Sequence, residues 1–321
     1  MHTVLRFALL ATAAAAVSVR DILTERPDLT TFASLLDHFA AWDIFETFPT
    51  DFTVMVPNDT AYEKLLKMGL DLKDWPANFT VPILRYHLLE GRVGSAQVSD
   101  GNEPFLVQTA LTVPNMTQPL PVKLFREAGE IQAESGLQLT ARIIEPDIEF
   151  AGGVLHVLES SLVAPHNFSA TAWMNGLCGK FLQFMDETDM AGELESLHDA
   201  TLFIPNDEAW QRAESVLAKM DLNEKRALLR SHAIEGQVAY RSQLSHRQTL
   251  KSVGGQALEI KVDERGGITV EDTTVIRTDV LWYNGVAHVT DKVIMLEKPN
   301  NASTMPVLDQ VQQFLAASPV A

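Results

Sequence analysis

Four histidines stand where chemistry could be done. His87 and Glu90 are spaced i, i+3, and His156 lies in a strand-like stretch of the same half; His232 and His288 occupy the matching places further on. Imidazoles and carboxylates that converge three or four at a time hold zinc, and a histidine titrates near neutral pH. The HExxH spacing is absent, however, and one cysteine, Cys178, adds no cluster of thiols. The pattern predicts core histidines that bond nearby backbone, with no metal and no cofactor; a pH-responsive hinge is the alternative. The spacings GxSxG, GxxxxGK[ST] and GxGxxG and an EF-hand loop are also missing, so a non-catalytic protein is expected. Asp147 and Asp279 read either as turn aspartates that bond their own backbone or as contacts for a partner.

The elements that must position these residues come in duplicate. Thr53-Val54-Met55-Val56-Pro57-Asn58-Asp59-Thr60-Ala61-Tyr62 returns as Thr201-Leu202-Phe203-Ile204-Pro205-Asn206-Asp207-Glu208-Ala209-Trp210. His87 to Val93 returns as His232 to Val238, and Gly153-Val154-Leu155-His156-Val157 as Gly285-Val286-Ala287-His288-Val289. Three blocks in the same order mean one duplicated unit. The first block reads as a buried strand stopped by Pro57 or Pro205, then a helix capped from Asn58-Asp59 or Asn206-Asp207. The second follows a helix, with Gly91 and Gly236 in the role of helix C-terminal glycines. The third is a tight turn and a strand. Leu137–Ala141 and Leu258–Val262 alternate as half-exposed strands do. Each unit is thus α+β, with a helical first half and a β-rich second half.

Composition narrows the function classes. The chain has 321 residues, long enough for two domains, and the lone cysteine excludes a disulfide scaffold. Net charge is −17, and it is not a tail effect: residues 1–165 hold 11 basic and 21 acidic side chains, the remainder 14 and 21. Such a surface repels phosphate backbones, so nucleic acid is not an expected partner. Arg6 followed by the apolar run Phe7 to Val17 has the layout of a secretory signal peptide, assigned to residues 1–18. No span is then expected once it is cleaved. On a secretory route the Asn-x-Ser/Thr triplets at Asn78, Asn115, Asn167 and Asn301 are candidate glycan sites. Asn58 begins a fifth such triplet, directly after a buried-looking strand. Domains are expected at 19–165 and 166–299, with a tail at 300–321 whose Val307, Leu308, Val311, Phe314 and Leu315 fall at the spacing of a short helix.

The repeated blocks resemble the fasciclin-like domain. TVMVPNDTAY and TLFIPNDEAW are similar to its first box, Tyr86-His87 to its tyrosine–histidine pair, and the stretches 152–165 and 284–299 to its second box. The resemblance implies two tandem domains, each a β-strand wedge or sandwich with helices packed against it, in an adhesion protein at the cell surface or in the matrix. Glu145-Pro146-Asp147-Ile148 is similar to the stretch that animal members use toward integrins; the second copy keeps only Asp279, and has Ser231 before His232 in place of tyrosine. The expected contact surface is therefore in the first copy, at Tyr86, His87, Glu145, Pro146, Asp147 and Ile148. Pro57, Asn58, Asp59, His156, Pro205, Asn206, Asp207, His232 and His288 are expected to be structural. The partner would be a cell-surface or matrix protein or glycan. The alternative is a small-molecule carrier or an uncharacterised enzyme in a vacuole-like lumen.

Overall fold

Each continuous apolar run lies at the centre of one copy. The computed structural model describes residues 17–46, 51–98, 104–114, 116–176 and 178–295. The expected signal segment through residue 16, the tail helix, Asn115 and Asn301 lie outside the described residues. In the first copy, α1 (Val19–Glu25) and α2 (Thr30–His38) precede β1 (Phe52–Pro57). Then come α3 (Asp59–Lys67), α4 (Ala77–Tyr86), β2 (Leu88–Glu90), β3 (Phe105–Gln108), β4 (Pro121–Glu127), β5 (Glu130–Glu134), β6 (Thr140–Phe150) and β7 (Gly153–Leu158). The second copy has α5 (Phe168–Asn175), α6 (Gly179–Glu187), α7 (Ala191–Ser196), β8 (Ala200–Pro205), α8 (Asp207–Leu217) and α9 (Leu222–Ser231). It ends with β9 (Ala233–Ile234), β10 (Gln248–Lys251), β11 (Ala257–Val262), β12 (Ile268–Val270), β13 (Thr273–Trp282) and β14 (Gly285–Thr290).

The two seven-stranded sheets share one topology, β2-β1-β7-β6-β5-β4-β3 and β9-β8-β14-β13-β12-β11-β10. A bridge between Leu89 and Thr109 brings the two ends of the first sheet together, so it is nearly closed. β1 is buried on both faces, which is why it reads as unbroken apolar sequence. Val54 and Val56 pack against α1 and α2, while Met55 points into the curl of the sheet beside Tyr86 and Leu124. Leu202 and Ile204 repeat the outer contacts, and Phe203 the inner one. β1 runs parallel to β7 and β8 parallel to β14. The first and third sequence blocks are therefore adjacent strands of one ladder. The glycine opening each third block has no room for a side chain: a Cβ on Gly153 would sit 2.0 Å from the Phe52 carbonyl oxygen, and one on Gly285 1.9 Å from that of Ala200.

Three local expectations are corrected. Gly91 and Gly236 do adopt positive φ, +74° and +79°, but they follow short strands; the helices end earlier, at Tyr86 and Ser231. Leu137 and Gln138 form a left-handed turn before β6, so the strand starts at Thr140. The helix caps are also shared out differently. Asn58 and Asn206 cap their own helices by accepting from Ala61 N–H and Ala209 N–H. Asp59 instead accepts from Thr31 N–H at 2.8 Å and Asp207 from Lys180 N–H at 2.8 Å. These carboxylates cap α2 and α6, whose preceding residues, Leu29 and Cys178, supply no side-chain cap.

Candidate functional site

Where β6 meets β7, Glu145 pairs with Val157 and Ile148 with Leu155, so Pro146 and Asp147 together oppose His156. This is a β-bulge. The second copy repeats it: Arg277 pairs with Val289 and Val280 with Ala287, leaving Thr278 and Asp279 opposite His288. Both aspartates are left-handed, with φ of +62° and +55°, a region where aspartate is enriched among non-glycine residues. Each donates its own N–H toward the histidine Nδ1, at 3.1 Å for Asp147 and 3.5 Å for Asp279. The ring's Nε2 in turn donates to a carbonyl, Val93 at 2.7 Å or Ala239 at 2.9 Å. Each aspartate side chain then accepts the first N–H of a 3-10 turn, that of Ser95 or of Arg241, both at 2.8 Å. Bulge, histidine and turn thus form one hydrogen-bonded frame, and the single residue that the two stretches share is the one it needs.

The other histidine pair serves the helices. His87 is fully buried; its Nδ1 donates to the Ile83 carbonyl at 2.7 Å and its Nε2 accepts Leu162 N–H at 3.0 Å. His232 repeats this with Leu228 at 2.8 Å and Ile294 at 3.0 Å. An imidazole that donates at one nitrogen and accepts at the other is neutral. Burial pushes both pKa values down to about 4. Burial also lowers His156, against the opposing pull of the Val93 bond and the Asp147 charge, and lowers His288 despite Asp279. Partial burial works against the charged form of Asp147, but the bonds from Ser95 outweigh it and hold the carboxyl below the usual aspartate value. Among the described residues, no three His, Cys, Asp or Glu gather where they could hold a metal. Burial raises the Cys178 thiol to about 12.

The residues expected at a contact surface divide. Glu145, Pro146 and Asp147 are exposed and Ile148 is half-buried. Glu145 pairs with Arg26 at 2.7 Å, and Arg26 also holds Asp28. Tyr86 and His87 are corrected: both are 0% exposed, and Tyr86 donates its hydroxyl to the Pro121 carbonyl at 2.7 Å. They support the wedge from inside and present nothing to a partner. Of the glycan candidates, Asn78 is exposed in the first turn of α4. Asn167 is exposed and caps α5, and Asn58 is half-buried as the cap of α3.

The repeats place the boundary between the domains, but sequence patterning gave no sign of the contacts made across it. There the second copy's bulge lies against the first copy. Lys123, 4% exposed, pairs with Glu134 and donates to the Asp279 carbonyl at 2.9 Å. Leu106 packs on Tyr240, Leu281 and Val286. Thr117 donates both its N–H and its hydroxyl to Asp199, at 2.9 and 3.0 Å. The positions equivalent to Tyr240 and Leu281 in the first copy are Gly94 and Glu149, and Glu149 is ion-paired with Arg92. One bulge is covered by a domain and the other faces solvent.

Fold and site together define a class, a tandem pair of α+β wedges in which the repeated histidines and aspartates hold the frame. The fasciclin domain model matches residues 27–164 and 176–296, and the chain belongs to that family. It is 34% identical over 284 residues to a fasciclin-like arabinogalactan protein of Phaeosphaeria nodorum, across 88% of this chain and 89% of that one. A fasciclin-like arabinogalactan protein of Cercospora beticola is 32% identical over 299 residues, covering 91% and 79%. A solved FAS1 domain pair from the insect cell adhesion molecule fasciclin I aligns over 85% of this chain and 98% of its own, at 18% identity and a TM-score of 0.41.

Proposed function

We propose that this chain is a secreted or cell-surface binding protein that acts without catalysis, presenting the first copy's bulge to an extracellular protein or glycan. The observation that carries the reading is the asymmetry between two copies of one device. The bulge at Asp279 is 2% exposed and seals the junction, whereas Glu145-Pro146-Asp147 is exposed on a rigid hydrogen-bonded frame. A fixed surface loses little freedom when it binds, which favours affinity. The names of the fasciclin-like arabinogalactan relatives support the same direction, as does the signal-like N-terminal sequence.

The test is attachment of cells or matrix to surfaces coated with the full chain. Glu145→Gln, Pro146→Ala and Glu149→Gln lie at the solvent face; the exposed ion pairs that two of them give up, with Arg26 and Arg92, are worth at most about 1 kcal/mol each, so Tm should stay within about 4 °C. Attachment should fall at least fivefold in these variants. Wild-type attachment no better than that of a coated inert protein, or equal attachment by all variants, overturns the reading.

A further inference from the structure

The helix that leads into His87 in the first copy and into His232 in the second starts differently in each. In the second, Asp221 accepts the Glu224 N–H at 2.9 Å and Glu224 accepts the Asp221 N–H at 2.8 Å, a reciprocal cap on α9. Met220, just before it, is half-buried and packs on the core. Counting back from the two histidines, Pro76, Phe79 and Trp75 hold the places of Asp221, Glu224 and Met220. No side chain caps α4. In place of a polar start, the first copy sets two large rings in solvent, with Trp75 37% exposed and Phe79 61%. Asn78 stands between them in the chain and is exposed as well. Followed by Phe79 and Thr80, it opens an Asn-x-Thr triplet; its counterpart Asn223 is followed by Glu224 and Lys225 and opens none.

We propose that Asn78 carries an N-linked glycan whose first sugars cover Trp75 and Phe79. The proposal rests on the secretory route of the reading above and adds to it a modification site with a structural role. In the transfer, Asn78 Nδ2 attacks C1 of an oligosaccharide held on a lipid diphosphate. The C1–Nδ2 bond forms, the C1–O bond to the diphosphate breaks, the amide gives up one proton and the lipid diphosphate leaves. No oxidation or reduction is involved, and the donor and its transferase belong to the secretory pathway. Neighbouring Cα atoms are about 3.8 Å apart, so the first sugar falls beside Phe79. A sugar ring has an apolar C–H face, and an aromatic ring offers it an apolar surface. Exposed apolar side chains gathered at one place mark a surface that something covers. A covalently tethered cover is held at high effective concentration and needs little affinity of its own. The two copies supply the argument for this occupant: the one with exposed rings has the triplet, and the one with a polar, capped helix start lacks it.

The test is the full chain, secreted from yeast under its own N-terminal sequence. Peptide mass spectrometry after endoglycosidase trimming, which leaves one N-acetylglucosamine on each occupied asparagine, should find most of the Asn78 peptide modified. Cover is read by the binding of a hydrophobic dye. Asn78→Gln should raise dye binding at least twofold, and adding Trp75→Ser and Phe79→Ser should return it to the wild-type level. Enzymatic removal of the glycan from the folded wild type should raise dye binding as Asn78→Gln does, which keeps the test decisive if a variant folds poorly. A secreted chain bare at Asn78 overturns the proposal and leaves the secretory route standing. A chain retained in the cytosol overturns the route and the proposal with it. An occupied Asn78 whose glycan can be removed with no change in dye binding overturns the covering role.

Discussion

At the scale of single residues, the histidines set how the protein responds to acid. His87 and His232 are held neutral in the fold with pKa near 4, against an ordinary value of 6.5. The unfolded chain therefore takes up more protons between those values, so stability falls as pH drops from about 6.5 toward about 4. Below that the histidine contribution is spent, and the loss continues through carboxylates whose bonds depress them, Asp28 and Asp147 among them. Melting followed from pH 7.5 to 4 should show Tm falling across this window, with most of the slope above pH 4.5. A flat profile there means the imidazoles are not held neutral. Asp59→Ala and Asp207→Ala each remove the cap of a neighbouring helix and should cost about 1–2 kcal/mol in denaturant unfolding. An effect under ~0.3 kcal/mol would show that water replaces the cap.

At the scale of elements, the close approach of β7 to β1 and of β14 to β8 is the tightest constraint in either copy. Gly153→Ala would place a methyl 2.0 Å from a backbone oxygen that the parallel ladder holds in place, and Gly285→Ala repeats the clash at 1.9 Å. Each should cost about 3 kcal/mol or more, read as a drop in the denaturant midpoint, because overpacking here cannot be relieved by a flexible side chain. Wild-type stability in either variant would mean that the ladder can slide. Much of this level was legible in the sequence. The runs around Val54 and Leu202, the turns at Gly152 and Asn284 and the duplication are local patterns, and local patterns are what apolar periodicity and turn chemistry encode. The reach of Asp59 to Thr31 was not legible, because it joins residues 28 apart through a packing that no short window contains. The same limit applies to the bulge. Asp147 stood out by its neighbours, but its structural duty depends on Ser95 and His156 arriving from other elements. Tyr86 and His87 drew attention as polar groups in an apolar setting, and only the fold shows that their polar atoms are already used.

At the scale of the whole molecule, the junction joins the two wedges through groups that cannot be removed singly without loss. Lys123→Ala would strand Glu134 and the Asp279 carbonyl in a poorly solvated interface, at about 3–5 kcal/mol. Replacing the pair together, Lys123→Met with Glu134→Leu, should recover the part of that loss due to the stranded Glu134, since an apolar pair of similar size avoids the buried charge, leaving the Asp279 carbonyl without its donor. Small-angle scattering should show the single variant broadened relative to wild type and the double variant nearer to it; identical profiles for all three would mean that Lys123 does not hold the wedges together. Charge alone gave no hint of this, since both halves are acidic and the decisive cation is one of only 25 basic residues. The parallel ladder also imposes a schedule. Phe52 pairs with Gly153, 101 residues later in the chain. At roughly 5–20 residues per second, synthesis delivers that partner about 5–20 s after the first strand. For that interval the central strand waits without its neighbour, and α4 has no finished wedge to dock on. Thr80, which completes the Asn78 triplet, ends fully buried with its hydroxyl on the Leu72 carbonyl. An enzyme that reads the Asn78 triplet could therefore reach Thr80 only before α4 docks, so the length of chain between two paired strands sets how long that triplet stays open.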